Sequence, residues 1–229
     1  MRAMTTVRAS PPLTAPVEDY LKAIFEAESA GGAAGTNEIA AMLGIAPASV
    51  SGMIRRLAEQ GLIAHERYRG VRLTKHGRRE ALRTIRRHRV IEAYLTEALG
   101  YPWDRVHEEA ERLEHAASDE LIDRMAEAIG EPATDPHGAP IPTREGTLDD
   151  DEDALVALAS VEPGSRVCVQ RVGDRDPRQL RYLAELGIMP GREIVVLEHA
   201  PFDGPISLRV GRAVRAIGAG LAGQILVRR

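Results

Sequence analysis

Aromatic residues make up only 3% of this chain, with a single tryptophan and two phenylalanines. Any core must therefore be aliphatic, which a hydrophobic content of 44% allows. One cysteine excludes an internal disulfide framework and an all-cysteine metal site. No run of 18 or more apolar residues exists, so no helical membrane span is expected. The start, MRAMTTVRASPPLTAP, lacks the apolar block of a secretory signal. A reducing cytoplasm is the expected setting, and 229 residues leave room for more than one domain.

The modest net charge of −4 conceals a polarised chain. Ser51 to Val90 carries twelve Lys/Arg against three acids, a surplus suited to phosphates. Asp104 to Glu127 carries nine acids against three Arg, suited to cations.

His88 and Glu92 are four residues apart and share a helical face. After a break at Gly100 and Pro102, His107, Glu111 and His115 repeat at the same spacing, with Glu114 beside them. Imidazole nitrogen with carboxylate oxygen is a ligand set for Mn²⁺, Fe²⁺, Co²⁺ or Zn²⁺. A solvated helix face is the competing explanation, and two matched helices in tandem favour metal. A zinc-protease HExxH is absent, and neither His88 nor His115 has Glu three residues earlier, as a di-iron bundle needs. No enzyme is expected.

In the basic half, apolar spacing predicts a helix from Thr14 to about Ala30 through Val17, Tyr20, Leu21, Ile24 and Phe25. Two short helices follow, TNEIAAMLGI and ASVSGMIRRLAEQGLI, joined by Ile45-Ala46-Pro47. A strand pair then turns at Tyr68-Arg69-Gly70, giving a winged helix-turn-helix. Short residues opening the second helix would approach DNA: Ala46, Pro47, Ala48, Ser49, Ser51 and Gly52. Arg55, Arg56, Arg67 and Arg69 would hold phosphates or enter the minor groove.

Thr74 is positioned to cap a helix running to about Leu99, with Leu82, Ile85, Ile91, Leu95 and Leu99 on its apolar side. Ser118 caps another, with Leu121, Ile122, Met125 and Ile129 inward. These apolar faces exceed one small core and suggest a helical homodimer interface. Gly130 to Asp153 is a Pro/Gly-rich loop followed by an acidic run. Beyond Leu155, RVCVQRV, EIVVLEH, ISLRV and QILVRR read as short strands of a small barrel, interrupted by a helix over 176–186.

Together, VEDYLKAIF, ASVSGMIRRLAEQGLI, LTKHG, RRHRVIEAYL, VHEEAERLEH, DPHGAPIP and DPRQLRYLAELGIMPG resemble the diphtheria toxin repressor family. The resemblance implies a mainly α fold with a β domain. Its parts would be a winged helix-turn-helix over 1–75, a metal-binding and dimerisation domain over 76–141, a linker over 142–155 and an SH3-like (FeoA-like) barrel over 156–229. It implies an activating metal site of Asp19, Glu111, Glu114 and His115. A second would comprise His88, Glu92 and His107, joined by Asp176 and Gln179. Iron-responsive members carry Met and Cys where this chain has Asp19 and Glu111. Hard oxygen there points to Mn²⁺ first and Fe²⁺ second, with Zn²⁺ or Co²⁺ able to bind in vitro. Lys22 replaces a further carboxylate of some manganese-responsive members, so two separate sites are expected. The implied function is a Mn²⁺-loaded repressor binding palindromic operators of metal-homeostasis genes. The alternatives are an Fe²⁺-dependent repressor of iron uptake and a winged-helix regulator sensing an organic ligand.

Overall fold

The computed structural model of the chain describes residues 13–29, 31–66, 70–148 and 155–229. The backbone forms two compact units, Met1–Thr84 and Ile85–Arg229.

In the amino-terminal unit, α1 (Ala15–Ser29) buries Val17, Tyr20, Leu21, Ile24 and Phe25, the apolar stripe that the sequence spacing predicts. It packs against α2 (Thr36–Leu43), which packs against α3 (Pro47–Glu59). Gly44 closes α2 in the left-handed conformation at φ 64°, where a Cβ would be strained. Pro47 then opens α3 at a position whose N–H has no helical acceptor. One face of α3 sends Val50, Ile54 and Leu57 into the core. The wing is an antiparallel pair, β1 (Ile63–Glu66) and β2 (Gly70–Leu73), with Ile63 opposite Leu73. The Glu28 carboxylate of α1 accepts from the Leu73 N–H at 2.9 Å, anchoring the wing's second strand. Thr74 caps α4 (Lys75–Glu97): its Oγ1 accepts from Gly77 N at 3.0 Å and donates to the Gly61 carbonyl at 2.8 Å. A Cβ on Gly77 would lie 1.9 Å from the Leu62 carbonyl oxygen, so only glycine fits this first turn.

In the second unit, the later part of α4 packs with α5 (Val106–Leu113) and α6 (Asp119–Ala128) around Val90, Ile91, Leu95, Val106, Ala110, Ile122 and Ala126. Ser118 caps α6, its Oγ accepting from Leu121 N at 3.2 Å. Two residues expected inward are not. Leu99 lies beyond the end of α4 and is 58% exposed, and Leu121 in the first turn of α6 is 44% exposed.

The carboxy-terminal strands correct the expected closed barrel. β3 (Val156–Ala157), β4 (Arg166–Arg171), β5 (Glu193–His199), β6 (Ile206–Val210), β7 (Ala213–Ile217) and β8 (Leu226–Arg228) form one open antiparallel sheet, in the order β3-β8-β4-β5-β6-β7. β3 and β7 are its edges, and a two-residue β3 offers too little backbone to close the circle. Along β4 and β5 alternate side chains turn inward, and α7 (Pro177–Leu186) covers the aliphatic core with Leu180 and Leu183. α8 (Ala219–Ala222) is a single turn before β8. The loop DPHGAPIP runs against the end of β4. Val172 N donates to the His137 carbonyl at 3.0 Å, and a Cβ on Gly138 (φ 89°) would lie 1.8 Å from the Gln170 carbonyl oxygen.

Candidate metal centre

His88 and Glu92 project from one face of α4, one turn apart. Across from them, α5 presents His107 and Glu111, while Glu114 is the C-cap of α5 and His115 follows in the turn. Buried groups converge here: Glu92 and Glu114 are fully buried and His88 is 6% exposed. His88 lies between two donor sets. Its Nε2 is 3.0 Å from Glu92 Oε1 and 3.1 Å from His107 Nδ1, and His107 Nδ1 is 3.2 Å from the same Glu92 oxygen. Its Nδ1 is 2.5 Å from Glu114 Oε2 and 3.8 Å from Glu111 Oε1. Glu114 Oε1 lies 3.5 Å from His115 Nε2. His88, Glu92 and His107 bring ligand atoms within 4.8 Å of one another, as do His88, Glu111 and Glu114. The sequence separated these into two sites; the fold makes them neighbours through one imidazole.

Buried carboxylates need counter-charge. Burial raises the pKa of Glu92, yet the charge of His88 and the imidazole of His107 outweigh that and hold the carboxyl well below its ordinary range. The ionised form is the one that ligates. With neutral imidazoles supplying nitrogen, the donor set fits a borderline-to-hard divalent ion and lacks the sulfur that thiophilic ions favour.

The other predicted ligands are Asp19, Asp176 and Gln179. Asp19 lies in the second turn of α1, half-buried, within the amino-terminal unit. Asp176 is the N-cap of α7, accepting from Arg178 N at 2.9 Å, Arg178 Nε at 3.2 Å and Arg178 Nη2 at 3.1 Å. Those bonds to Arg178 lower its pKa. Among the described residues it joins no group of three ligand atoms within 4.8 Å, and Gln179 is half-buried on the same helix.

Sequence reasoning assigned no role to Asp135 and His137, yet both are buried beside Glu92. Asp135 Oδ1 accepts from His137 N at 2.9 Å and Ala139 N at 3.0 Å, making a tight turn. His137 Nε2 donates to the Trp103 carbonyl at 2.8 Å, and the Trp103 ring stacks on the imidazole at 5.7 Å. Burial and Glu92 raise Asp135 to about 6; burial opposes protonation of His137, but Glu92 and Asp135 raise it to about 9. The available signal was an aspartate and a histidine, ionisable side chains in a Pro/Gly-rich loop that needed no others.

The predicted DNA-reading residues that can be described share one exposed surface. Ala46, Pro47, Ala48, Ser49, Ser51, Gly52, Arg55 and Arg56 are all exposed along the start and outer face of α3. Nothing lies within 4 Å of where a Cβ on Gly52 would sit. Arg67 and Arg69 lie outside the described residues.

Three family models match the chain. Residues 12–71 match "Iron dependent repressor, N-terminal DNA binding domain", residues 74–143 "Iron dependent repressor, metal binding and dimerisation domain", and residues 156–229 the "FeoA domain". The diphtheria toxin repressor of Corynebacterium jeikeium (strain K411) is 32% identical over 80% of this chain and 75% of its own. The iron-dependent repressor IdeR of Mycobacterium leprae (strain TN) is 33% identical over 78% and 82%. A solved manganese-dependent transcriptional repressor in complex with manganese superposes with a TM-score of 0.85 at 39% identity, covering 93% of this chain and 99% of that one. With its helix-turn-helix, its converging imidazoles and carboxylates and its carboxy-terminal sheet, the chain belongs to the diphtheria toxin repressor family, whose members are metal-dependent transcriptional repressors and not enzymes.

Proposed function

We propose that this chain is a Mn²⁺-activated repressor in the cytoplasm that binds palindromic operators as a homodimer and controls metal-ion homeostasis. The carrying observation is the donor set. Glu92, Glu111, Glu114, His88, His107 and His115 offer only oxygen and nitrogen, and Asp19 adds another oxygen. The solved neighbour holding manganese supports this, while the sequence relatives are iron-dependent repressors. The donor atoms tip the balance towards the harder ion.

In this reading Asp19, Glu111, Glu114 and His115 form the activating site. His88, Glu92 and His107 form the second, completed by Asp176 and Gln179 once Asp176 leaves Arg178. Without an ion, the carboxylates crowd one place and repel. A divalent ion neutralises them, and through Asp19 it ties α1, and with it the reading helix α3, to the helical scaffold. Fixing two such units about one DNA turn apart, roughly 34 Å, makes a dimer that recognises two half-sites. Leu99, Tyr101, Leu113 and Leu121, exposed by 40% to 58%, supply the apolar face for the second copy. The domain division is 1–75 for DNA, 76–141 for metal and dimerisation, 142–155 as linker and 156–229 as the FeoA-like part.

An operator-binding assay across divalent ions tests the reading. Mn²⁺ is expected to activate at the lowest concentration, and Asp19→Ala to lose metal-dependent binding while keeping its circular dichroism. Activation by Fe²⁺ alone would overturn the manganese assignment. DNA binding indifferent to chelation would replace the metal reading with an organic effector.

A further inference from the structure

A two-stranded wing has a free edge. β2 pairs with β1 along one side, so its other side carries backbone groups that no strand takes up. Here α1 and the segment after it take them. Ala34, fully buried, exchanges two bonds with Val71: Ala34 N donates to the Val71 carbonyl and Val71 N to the Ala34 carbonyl, both at 3.0 Å. The next N–H on that side is that of Leu73, and the half-buried Glu28 carboxylate receives it at 2.9 Å. A side chain from 45 positions earlier stands in for a strand. A carboxylate on a backbone N–H is among the stronger hydrogen bonds.

The end of α1 that carries Glu28 is itself fixed. Phe25, three residues earlier, is buried, and the guanidinium carbon of Arg78 in α4 stands 4.9 Å from its ring centroid. Ser29 Oγ donates to the Phe25 carbonyl at 3.0 Å. Glu28 is therefore an anchor on a held helix end.

Pinning β2 at Val71 and Leu73 fixes where the residue between them points. Val71 is 1% exposed and turns into the core. Strand alternation then turns Arg72 outward, opposite Ala64 on β1, and both are exposed. A cation held outward on the wing of a DNA-binding domain has one abundant partner, the phosphate backbone.

We infer that Arg72 is a further phosphate contact of this repressor and that Glu28 is its positioning residue, holding β2 by the Leu73 N–H so that Arg72 meets the duplex. The inference rests on DNA binding, which the family shares, and on no choice of metal. Charge gives the claim a definite sign. A carboxylate in a phosphate-binding unit opposes DNA by its charge. Removing Glu28 tightens binding if only its charge matters, and weakens binding if its hydrogen bond matters.

The test uses a duplex that the wild-type protein selects from a random-sequence pool, with the divalent ion that gives the tightest wild-type binding. Dissociation constants are measured across a range of salt concentrations. Arg72→Ala is expected to weaken binding several-fold and to reduce the slope of log affinity against log salt by about 0.9 per subunit, one phosphate contact. Glu28→Ala is expected to do the same, and the double variant to lose no more than either single one. Glu28→Met removes the acceptor but keeps a long stem, so it decides the matter if Glu28→Ala does not fold. Glu28→Gln loses the same charge but keeps an acceptor for Leu73 N–H. It is expected to keep the wild-type slope and to bind at least as tightly. Tighter binding or an unchanged slope in the folded Ala or Met variant overturns the positioning role, as do additive losses in the double variant. An unchanged slope in Arg72→Ala overturns the phosphate contact.

Discussion

Glu114→Gln separates ligand chemistry from packing. The carboxylate is fully buried, with Oε2 2.5 Å from His88 Nδ1 and Oε1 3.5 Å from His115 Nε2. Glutamine keeps the shape and one acceptor and removes the charge. In metal-free protein the change weakens a charge-assisted hydrogen bond, worth about 1.5–3 kcal/mol, and relieves repulsion from the neighbouring carboxylates, so the net loss is smaller. With Mn²⁺ the effects no longer offset. An ion at 100 times its dissociation constant stabilises the fold by about 2.7 kcal/mol. If loss of an anionic ligand weakens binding about 100-fold, the same Mn²⁺ concentration stabilises by only about 0.4 kcal/mol. The variant should therefore lose about 2.3 kcal/mol of metal-dependent stability, roughly 5–9 °C for a unit of this size. Thermal melts of both proteins, each with EDTA and with Mn²⁺, give the double difference. A variant that keeps the full wild-type rise with Mn²⁺ would refute the assignment of Glu114 as a ligand, whatever its metal-free stability.

Two glycines give opposite outcomes. Gly52→Ala places a methyl in open space on α3, so urea unfolding should show unchanged or up to about 1 kcal/mol greater stability. The same variant should bind operator more weakly if the backbone there approaches DNA, and unchanged affinity would remove Gly52 from the interface. Gly138→Ala combines a left-handed φ of 89° with a Cβ 1.8 Å from a carbonyl oxygen. It should cost about 2–5 kcal/mol in urea unfolding, and a loss under 1 kcal/mol would mean the loop is not held against β4.

The helices and their donors were readable because α-helical periodicity links spacing to direction. His88 and Glu92, and His107 and Glu111, share faces for the same reason that Val17, Leu21 and Ile24 do. Thr74 and Ser118 were legible as caps because an exposed first turn has few other ways to satisfy its N–H groups. Four things were not legible. Leu99 and Leu121 fit an apolar stripe but remain exposed among the described residues. β7 escaped because most of its side chains are exposed, so Val214 and Arg215 show no inward alternation. Whether the sheet closes depends on the length of β3, and strand length is poorly marked when only two residues pair. Asp135 and His137 sit in a loop, where no period connects sequence to direction.

Asp176 shows how a correct residue type leaves its state open. As N-cap of α7 it satisfies a backbone N–H, and as the partner of Arg178 it holds a cation already. To ligate an ion with His88, Glu92 and His107 it must release the guanidinium, so Arg178 competes with metal for the same carboxylate. Both side chains belong to a solvent-facing pair, and such pairs are weak. Arg178→Ala should therefore raise Mn²⁺ affinity at the second site by a few-fold only, read by manganese titration of a Glu114→Gln background in which the activating site is disabled. Asp176→Ala in that background should lower the same affinity. If Arg178→Ala weakens binding instead, the guanidinium is holding Asp176 in the ligating position, and the competition described here is wrong. If neither change moves the titration, Asp176 is a helix cap and nothing more, and the second site is complete with His88, Glu92 and His107.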